Sequence, residues 1–396
     1  MFWWMYFSTA AEGFTNKPLI LWLQGGPGGS STGFGNFKEI GPLDINLKPR
    51  NTTWLSSASL LFIDNPVGTG YSYVTSDDAY TTNVDEIASD LLAVMKAFLA
   101  QLPQFSKVPF YIFSESYGGK MAASFSEVLY KAIQDGSVKC NFKGFAMGDS
   151  WISPVDSVLT WGPYLYATSL VDRGGLAAIN AAAMATKQAV DAGQFDKATQ
   201  LWSDTENIIE KYTHGVNMYN ILKWGPSAKL QIKHQSAIES LYDRHVSKLY
   251  DDKLSELMNG VIRKKLGIIP SDVIWGAQSG KVFEKQAGDF MKPVIDTVDR
   301  MLEKDDIKVV VYSGQLDLIV DTLGTEEWVQ RLHWPGLSHY NAATRHEIVG
   351  NVTNKNVAFV KSYKNFYFYW VLDAGHMVGV SQSCQIIGVM LRYGCL

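Results

Sequence analysis

The sequence predicts an α/β protein, with a mostly parallel central sheet covered by helices on both faces and interrupted by a helical insertion. Three observations carry this expectation. Short apolar runs of strand length recur along the chain, each closing in a loop of small or turn-forming residues. Helical patterns stand between them. From about Leu170 to about Pro293 the runs give way to long helical patterns with few strand candidates, and strands resume at Ile307. The expected organisation is a core in two parts, residues 1–169 and 294–396, with a helical cap inserted at 170–293.

Taken in order, Met1 to Phe7 is apolar and aromatic, lacks the basic leader and cleavage site of a signal peptide, and suits a strand. The chain is thus expected to open inside a folded element. Leu19 to Leu23 reads as a buried strand opening into the glycine-rich loop Gln24 to Ser31, and Ala58 to Ile63 repeats the pattern before Asp64-Asn65-Pro66-Val67-Gly68-Thr69-Gly70. Val84, Ile87, Leu91, Val94, Phe98 and Leu99 recur at helical spacing, with Thr82 or Asn83 as cap and Pro103 as stop. Val108 to Phe113 is a strand that turns at Ser114-Glu115-Ser116-Tyr117-Gly118-Gly119 into the Ala-rich helix Met121 to Ile133. Phe142 to Met147 is another strand, closed by Gly148-Asp149-Ser150-Trp151-Ile152-Ser153-Pro154.

Within the insertion, Phe195, Ala198, Leu201, Ile208, Ile209 and Tyr212 are expected on one helix face. Arg263-Lys264-Lys265 reads as a solvated face, and His214, His234 and His245 as structural residues. Ile307 to Tyr312 and Phe366 to Leu372 complete the strands, followed by turns that carry Asp317 and His376.

Composition narrows the function classes. A net charge of −4 and a pI near 6.0, with no long basic run, argue against a nucleic-acid surface. No stretch reaches the roughly 18 apolar residues of a spanning helix, so no membrane partner is expected. Cys140, Cys384 and Cys395 form neither a CxxC nor a metal-spaced set with histidine, so no metal site and no disulfide framework are indicated. Asn51-Thr52-Thr53 and Asn351-Val352-Thr353 are candidate glycosylation sequons, meaningful only if the chain enters the secretory pathway.

The chemistry points to a serine nucleophile. At a strand-to-helix turn a serine is pushed out of the sheet, where the helix N-terminus favours developing negative charge. Ser116 has that setting, although Ser114 takes the first small position of the usual G-x-S-x-G, and the string alone also fits an ordinary turn. A serine hydroxyl needs an imidazole to take its proton, and the imidazole needs a carboxylate to hold its tautomer. Singly, His376 reads as a core histidine and Asp317 as a cap or loop carboxylate. Together, three strand-end turns in the order Ser116, Asp317, His376 match the order of α/β-hydrolases. The loop at residues 24–31 can turn backbone N–H groups toward an oxyanion or be a plain turn; it lacks the ending of a phosphate loop.

These stretches, with Phe2-Trp3-Trp4, Trp22 to Ser31, Asn65 to Gly70, Gly148 to Pro154 and Asp373 to Met377, resemble the serine carboxypeptidase family nearly end to end. The resemblance implies an α/β-hydrolase core, the catalytic set Ser116, Asp317 and His376, and an oxyanion hole from the N–H groups of Gly26 and Tyr117. It also implies that Gln24, Glu39 and Glu115 hold the terminal carboxylate of a substrate. Crowded carboxyl groups must share protons, so activity is expected in acid. Read without the family, Glu39 is a surface carboxylate and Glu115 a turn residue.

Peptide or protein C-termini are the implied substrate, no metal or organic cofactor is implied, and the implied location is the secretory pathway, lysosomal or extracellular. Most of the family carries Asn where Gln24 stands, and the pattern departs from Gly379 onward, which reads as a divergent or mis-spliced tail. Two rival readings keep the fold: an acyltransferase or esterase using the same nucleophile, and a catalytically impaired hydrolase-like protein with a binding role.

Overall fold

The computed structural model of the chain describes residues 1–225, 236–350 and 354–381. Among the described residues nine strands form one sheet: β1 (Trp3–Tyr6), β2 (Leu19–Leu23), β3 (Ser59–Ile63), β4 (Pro109–Glu115), β5 (Asn141–Gly148), β6 (Lys308–Gly314), β7 (His346–Val349), β8 (Asn356–Tyr363) and β9 (Phe366–Val371). Their order is β1-β3-β2-β4-β5-β6-β9-β8-β7. The run from β3 to β9 is parallel throughout, while β1, β8 and β7 pair antiparallel at the two edges.

The central strands are apolar at nearly every position because helices and loops cover both faces. In β2, Leu19, Leu21 and Leu23 point into one core and Ile20 and Trp22 into the other, and all five are buried. The expected strands fall on β1 to β6 and β9 within a residue or two. β7 and β8 were not expected, since they lie at an edge, alternate buried with exposed positions and carry no long apolar run.

Helix α1 (Val84–Gln101) is capped by Asn83, whose side chain accepts the N–H groups of Asp85 and Glu86. Helix α2 (Gly118–Gln134) follows β4 and buries its Ala-rich face against α1 and the sheet. Between β5 and β6 no strand occurs among the described residues; the chain runs through α3 (Pro154–Ala167), α4 (Arg173–Asp191), α5 (Phe195–Thr213), α6 (Ala237–His245) and shorter helices. It returns where it left, the Val294 N–H donating to the Ile152 carbonyl at 2.9 Å.

Two details differ from the sequence expectation. The buried face of α5 carries Ala198, Thr199, Trp202, Ser203, Thr205, Glu206 and Ile209, whereas Leu201 and Ile208 are only half-buried and Tyr212 is exposed. Hydrophobic spacing misplaces this face because small hydroxyls and a glutamate are turned inward. In the basic run, Arg263 folds back to donate to the carbonyls of Pro270 and Val273, leaving Lys264 and Lys265 exposed.

Asn51 is exposed at a turn, while Asn351, His234, Cys384, Cys395 and most of the tail from Gly379 lie outside the described residues. Cys140 is unpaired, with burial pushing its thiol up to about 12. No helix among the described residues is long and apolar enough to cross a membrane.

Candidate active site

β4 ends at Glu115 and α2 begins at Gly118, so the chain reverses within two residues. Ser116 absorbs the reversal with φ +60°, a left-handed conformation that is strained for a non-glycine residue. Hydrogen bonds on both sides hold it there. Its N–H donates to the Gly148 carbonyl at 3.0 Å, and its carbonyl accepts from the N–H groups of Trp151 at 3.0 Å and Gly119 at 2.9 Å. The turn closes only with minimal neighbours: a Cβ on Gly118 would stand 2.3 Å from the Leu23 carbonyl oxygen, and one on Gly25 would stand 2.6 Å from the Ser116 Cβ. Ser114 is accommodated because its hydroxyl donates to the Ala146 carbonyl of β5 at 3.0 Å.

Asp317 and His376 follow the ends of β6 and β9, which are neighbours in the sheet. The His376 Nδ1 lies 2.8 Å from the Asp317 Oδ2, and both side chains are buried. The His376 backbone N–H donates to the Tyr219 carbonyl at 2.9 Å, and the Tyr219 ring meets the imidazole edge-on at 4.9 Å. Burial lowers the His376 pKa to about 4, so the imidazole is neutral above that pH.

Gln24, at the end of β2, links a second group. Its Nε2 donates to Glu115 Oε1 at 2.9 Å, and its Oε1 accepts from the Trp22 indole at 2.7 Å. Glu39 lies in the π-helix Ser31–Ile40 and is fully buried. Its carboxyl is pushed up to about 8, by burial first, against the pull of the neighbouring Glu115 and Gln24 side chains and the Arg50 charge, and neither of its oxygens makes a hydrogen bond among the described residues. Glu115 is raised well above the usual carboxylate range by burial and by the negative charges of Glu39 and Asp149. Burial and mutual repulsion thus oppose ionisation of both glutamic acids together.

Most of the expected site residues meet in one recess, which Asp317 and Glu39 do not line. Gln24, Gly26, Glu115, Ser116, Tyr117 and His376 line it on the sheet side, and Trp151, Trp202, Tyr219, His245 and Phe290 close it from the helical segment. Neither the Gly26 nor the Tyr117 N–H is used in a hydrogen bond among the described residues, so both are available to a developing negative charge. Beyond the recess, Tyr117 is anchored by its hydroxyl, which donates to Asp289 Oδ2 at 2.6 Å, and the buried Lys120 Nζ lies 2.6 Å from the same oxygen.

The recess also contains residues that the sequence reading passed over. His245, expected to be structural, turns its ring onto the recess, stacked on Trp202 at 5.5 Å, with its Nε2 2.9 Å from Glu206 and its Nδ1 2.8 Å from the Tyr219 hydroxyl. Burial opposes the charge on Glu206, yet His245 and Arg244 hold its pKa below the usual range. Asp149, buried behind Asp317, went unassigned although it follows a strand end as Asp317 does.

Comparison with known proteins gives the class first: the fold is an α/β-hydrolase. A solved carboxypeptidase, the prohormone-processing Kex1(Δ)p from Saccharomyces cerevisiae, superposes with a TM-score of 0.84 over 99% of this chain and 86% of its own, at 22% identity. A family model described as serine carboxypeptidase matches residues 1–393. Retinoid-inducible serine carboxypeptidase of Rattus norvegicus is 57% identical, and that of Homo sapiens 54%, each covering 98% of this chain and 87% of the relative. Serine carboxypeptidase-like 51 of Arabidopsis thaliana is 42% identical over 97% of this chain and 87% of its own length. The chain belongs to the serine carboxypeptidase family, hydrolases that act on peptides.

Proposed function

We propose that the chain releases C-terminal residues from peptides in acid through an acyl-enzyme on Ser116. His376 takes the Ser116 proton as Oγ attacks the scissile carbonyl, and Asp317 holds the imidazole with its acceptor nitrogen toward the serine and balances the imidazolium that forms. The N–H groups of Gly26 and Tyr117 receive the oxyanion. The imidazolium then protonates the departing amine, and water, activated by the same imidazole, hydrolyses the acyl-enzyme.

The observation that carries this reading is that the recess lined by Ser116 and His376 is also lined by Gln24 and Glu115. A protonated Glu115–Glu39 pair with the Gln24 amide offers hydrogen-bond donors to a terminal carboxylate, and a chain continuing past the scissile bond offers no carboxylate to meet them. The helical segment at 170–293 serves as a cap that closes the recess with aromatic side chains. The acid window suits a lysosomal or extracellular site of action, where the exposed Asn51 sequon would carry a glycan.

The test compares one peptide with a free and an amidated C-terminus, using the native chain and Ser116→Ala. Cleavage confined to the free terminus and lost in Ser116→Ala is the expected result. Equal cleavage of both peptides would remove the exopeptidase assignment, and activity surviving in Ser116→Ala would remove the nucleophile.

A further inference from the structure

Asp149, the residue after β5, has no part in the steps above. It is 1% exposed and adopts φ +39°. Its Oδ1 accepts the N–H of Gly314, the last residue of β6, at 2.7 Å. Its Oδ2 is buried without a hydrogen-bond partner, and so is the Oδ1 of Asp317. One carboxylate oxygen from each aspartate and one ring nitrogen of His376 fall within 4.8 Å of one another. Two buried carboxylates this close resist ionising together, and a single proton shared between them would satisfy both orphaned oxygens.

We propose that Asp149 is a positioning residue that carries a proton and donates it from Oδ2 to the Oδ1 of Asp317, setting Asp317 to receive the Nδ1–H of His376. This rests on the assignment of Ser116, Asp317 and His376 as the reacting set. Burial raises both carboxyls, and the proton belongs on Asp149 because more donors face its partner. The N–H groups of Val320, Ile319 and Leu318 face the Asp317 carboxylate, the last two shared with the Met218 carbonyl, and His376 adds a further donor. Asp149 has the single N–H of Gly314.

The other ionisable groups around Asp149 are Asp317 after β6, His376 after β9, Glu115 at the end of β4 and Tyr312 within β6. All but His376 can only add negative charge. Burial and the Asp317 charge accordingly hold the Asp149 carboxyl well above the usual carboxylate range. When Asp149 loses its proton in alkali, two negative charges stand behind the imidazole and the hold on Asp317 turns repulsive.

Phosphonylation of Ser116 by a fluorophosphonate, followed against pH from acid to alkaline, tests this without involving the terminal-carboxylate group. Asp149→Asn keeps the shape, tolerates the left-handed backbone and supplies a donor that does not titrate. It should label at acid pH within about threefold of the native chain, a small cost on the scale of one altered hydrogen bond, and continue labelling in alkali where the native chain declines. Asp149→Ala should label about 10- to 100-fold more slowly throughout, as for an unsatisfied buried acceptor.

The proposal is overturned if Asp149→Asn is as slow as Asp149→Ala, or if its pH profile superimposes on the native one. The native profile against that of Asp149→Asn decides the matter even if Asp149→Ala fails to fold. A stoichiometric metal ion whose chelation slows labelling would place a cation, and not a proton, between the carboxylates. If the native chain itself fails to label, the assignment of the reacting set falls, and this inference with it.

Discussion

His376 Nδ1 lies 2.8 Å from Asp317 Oδ2 across 59 positions of sequence, and the contact exists because β6 and β9 are adjacent parallel strands ending at the same edge. If Asp317 selects the imidazole tautomer, Asp317→Asn keeps the packing but reverses the hydrogen bond. The expected loss is about four orders of magnitude in kcat with little change in KM, measured by steady-state peptide hydrolysis. A proportionate rise in KM would show instead that Asp317 serves binding.

The pH profile of kcat/KM should be a bell. Activity rises through about 4 as the buried His376 becomes neutral and able to accept a proton. It falls through about 8 as Glu39, held protonated chiefly by burial, ionises beside Glu115 and repels the substrate carboxylate. Glu39→Gln should move only the alkaline limb, which a pH series on the variant would reveal.

The same glutamic acid makes stability depend on pH. Its folded pKa lies near 8, above the unfolded value of 4.5, so the folded state binds the extra proton between those limits. Its contribution is complete below the unfolded value and is lost as pH rises through the folded one, on the order of a few kcal/mol. Thermal melting from acid to alkaline pH should fall over this window in the native chain and fall less in Glu39→Gln; parallel curves would refute the assignment.

The buried Lys120–Asp289 pair ties the start of α2 to the helical segment. Lys120→Met leaves the Asp289 carboxylate buried with no cationic partner among the described residues and the neutral Tyr117 hydroxyl as its remaining side-chain donor, and should cost about 3–5 kcal/mol in denaturant unfolding. Adding Asp289→Leu should recover much of that loss. A single variant as stable as the native chain would mean that water reaches the pair.

Strands with both faces covered are legible because every position is apolar, as in Leu19 to Leu23, and so are the turns that end them. The three side chains proposed to react, Ser116, Asp317 and His376, are readable for that reason: each follows such a strand. β8 escapes because only three of its eight positions are buried. Trp202, Tyr219 and His245 escape for a different reason, since their place at the recess depends on how the helical segment folds back over the sheet, which no local pattern encodes. Glu39 is hardest of all. Its neighbours Lys38, Ile40 and Gly41 look like a surface turn, and only the π-helix of Ser31–Ile40 carries it inward beside Glu115.

The backbone at Met218 to Ile221 limits how this enzyme could be re-engineered. The Met218 carbonyl receives the N–H groups of Leu318 and Ile319, the Tyr219 carbonyl receives that of His376, and the Ile221 N–H reaches the Leu316 carbonyl. This short stretch buckles the aspartate loop to the histidine loop through main-chain atoms alone. A chimera that exchanges the whole segment between β5 and β6 to alter side-chain preference would unfasten that buckle, whereas grafts confined to α4, α5 and α6 would leave it closed. Because the bonds are main-chain, Met218 and Asn220 can vary in identity so long as their path is kept, whereas Tyr219 also packs its ring on His376 and bonds His245, and the position of Ile221 must keep its N–H.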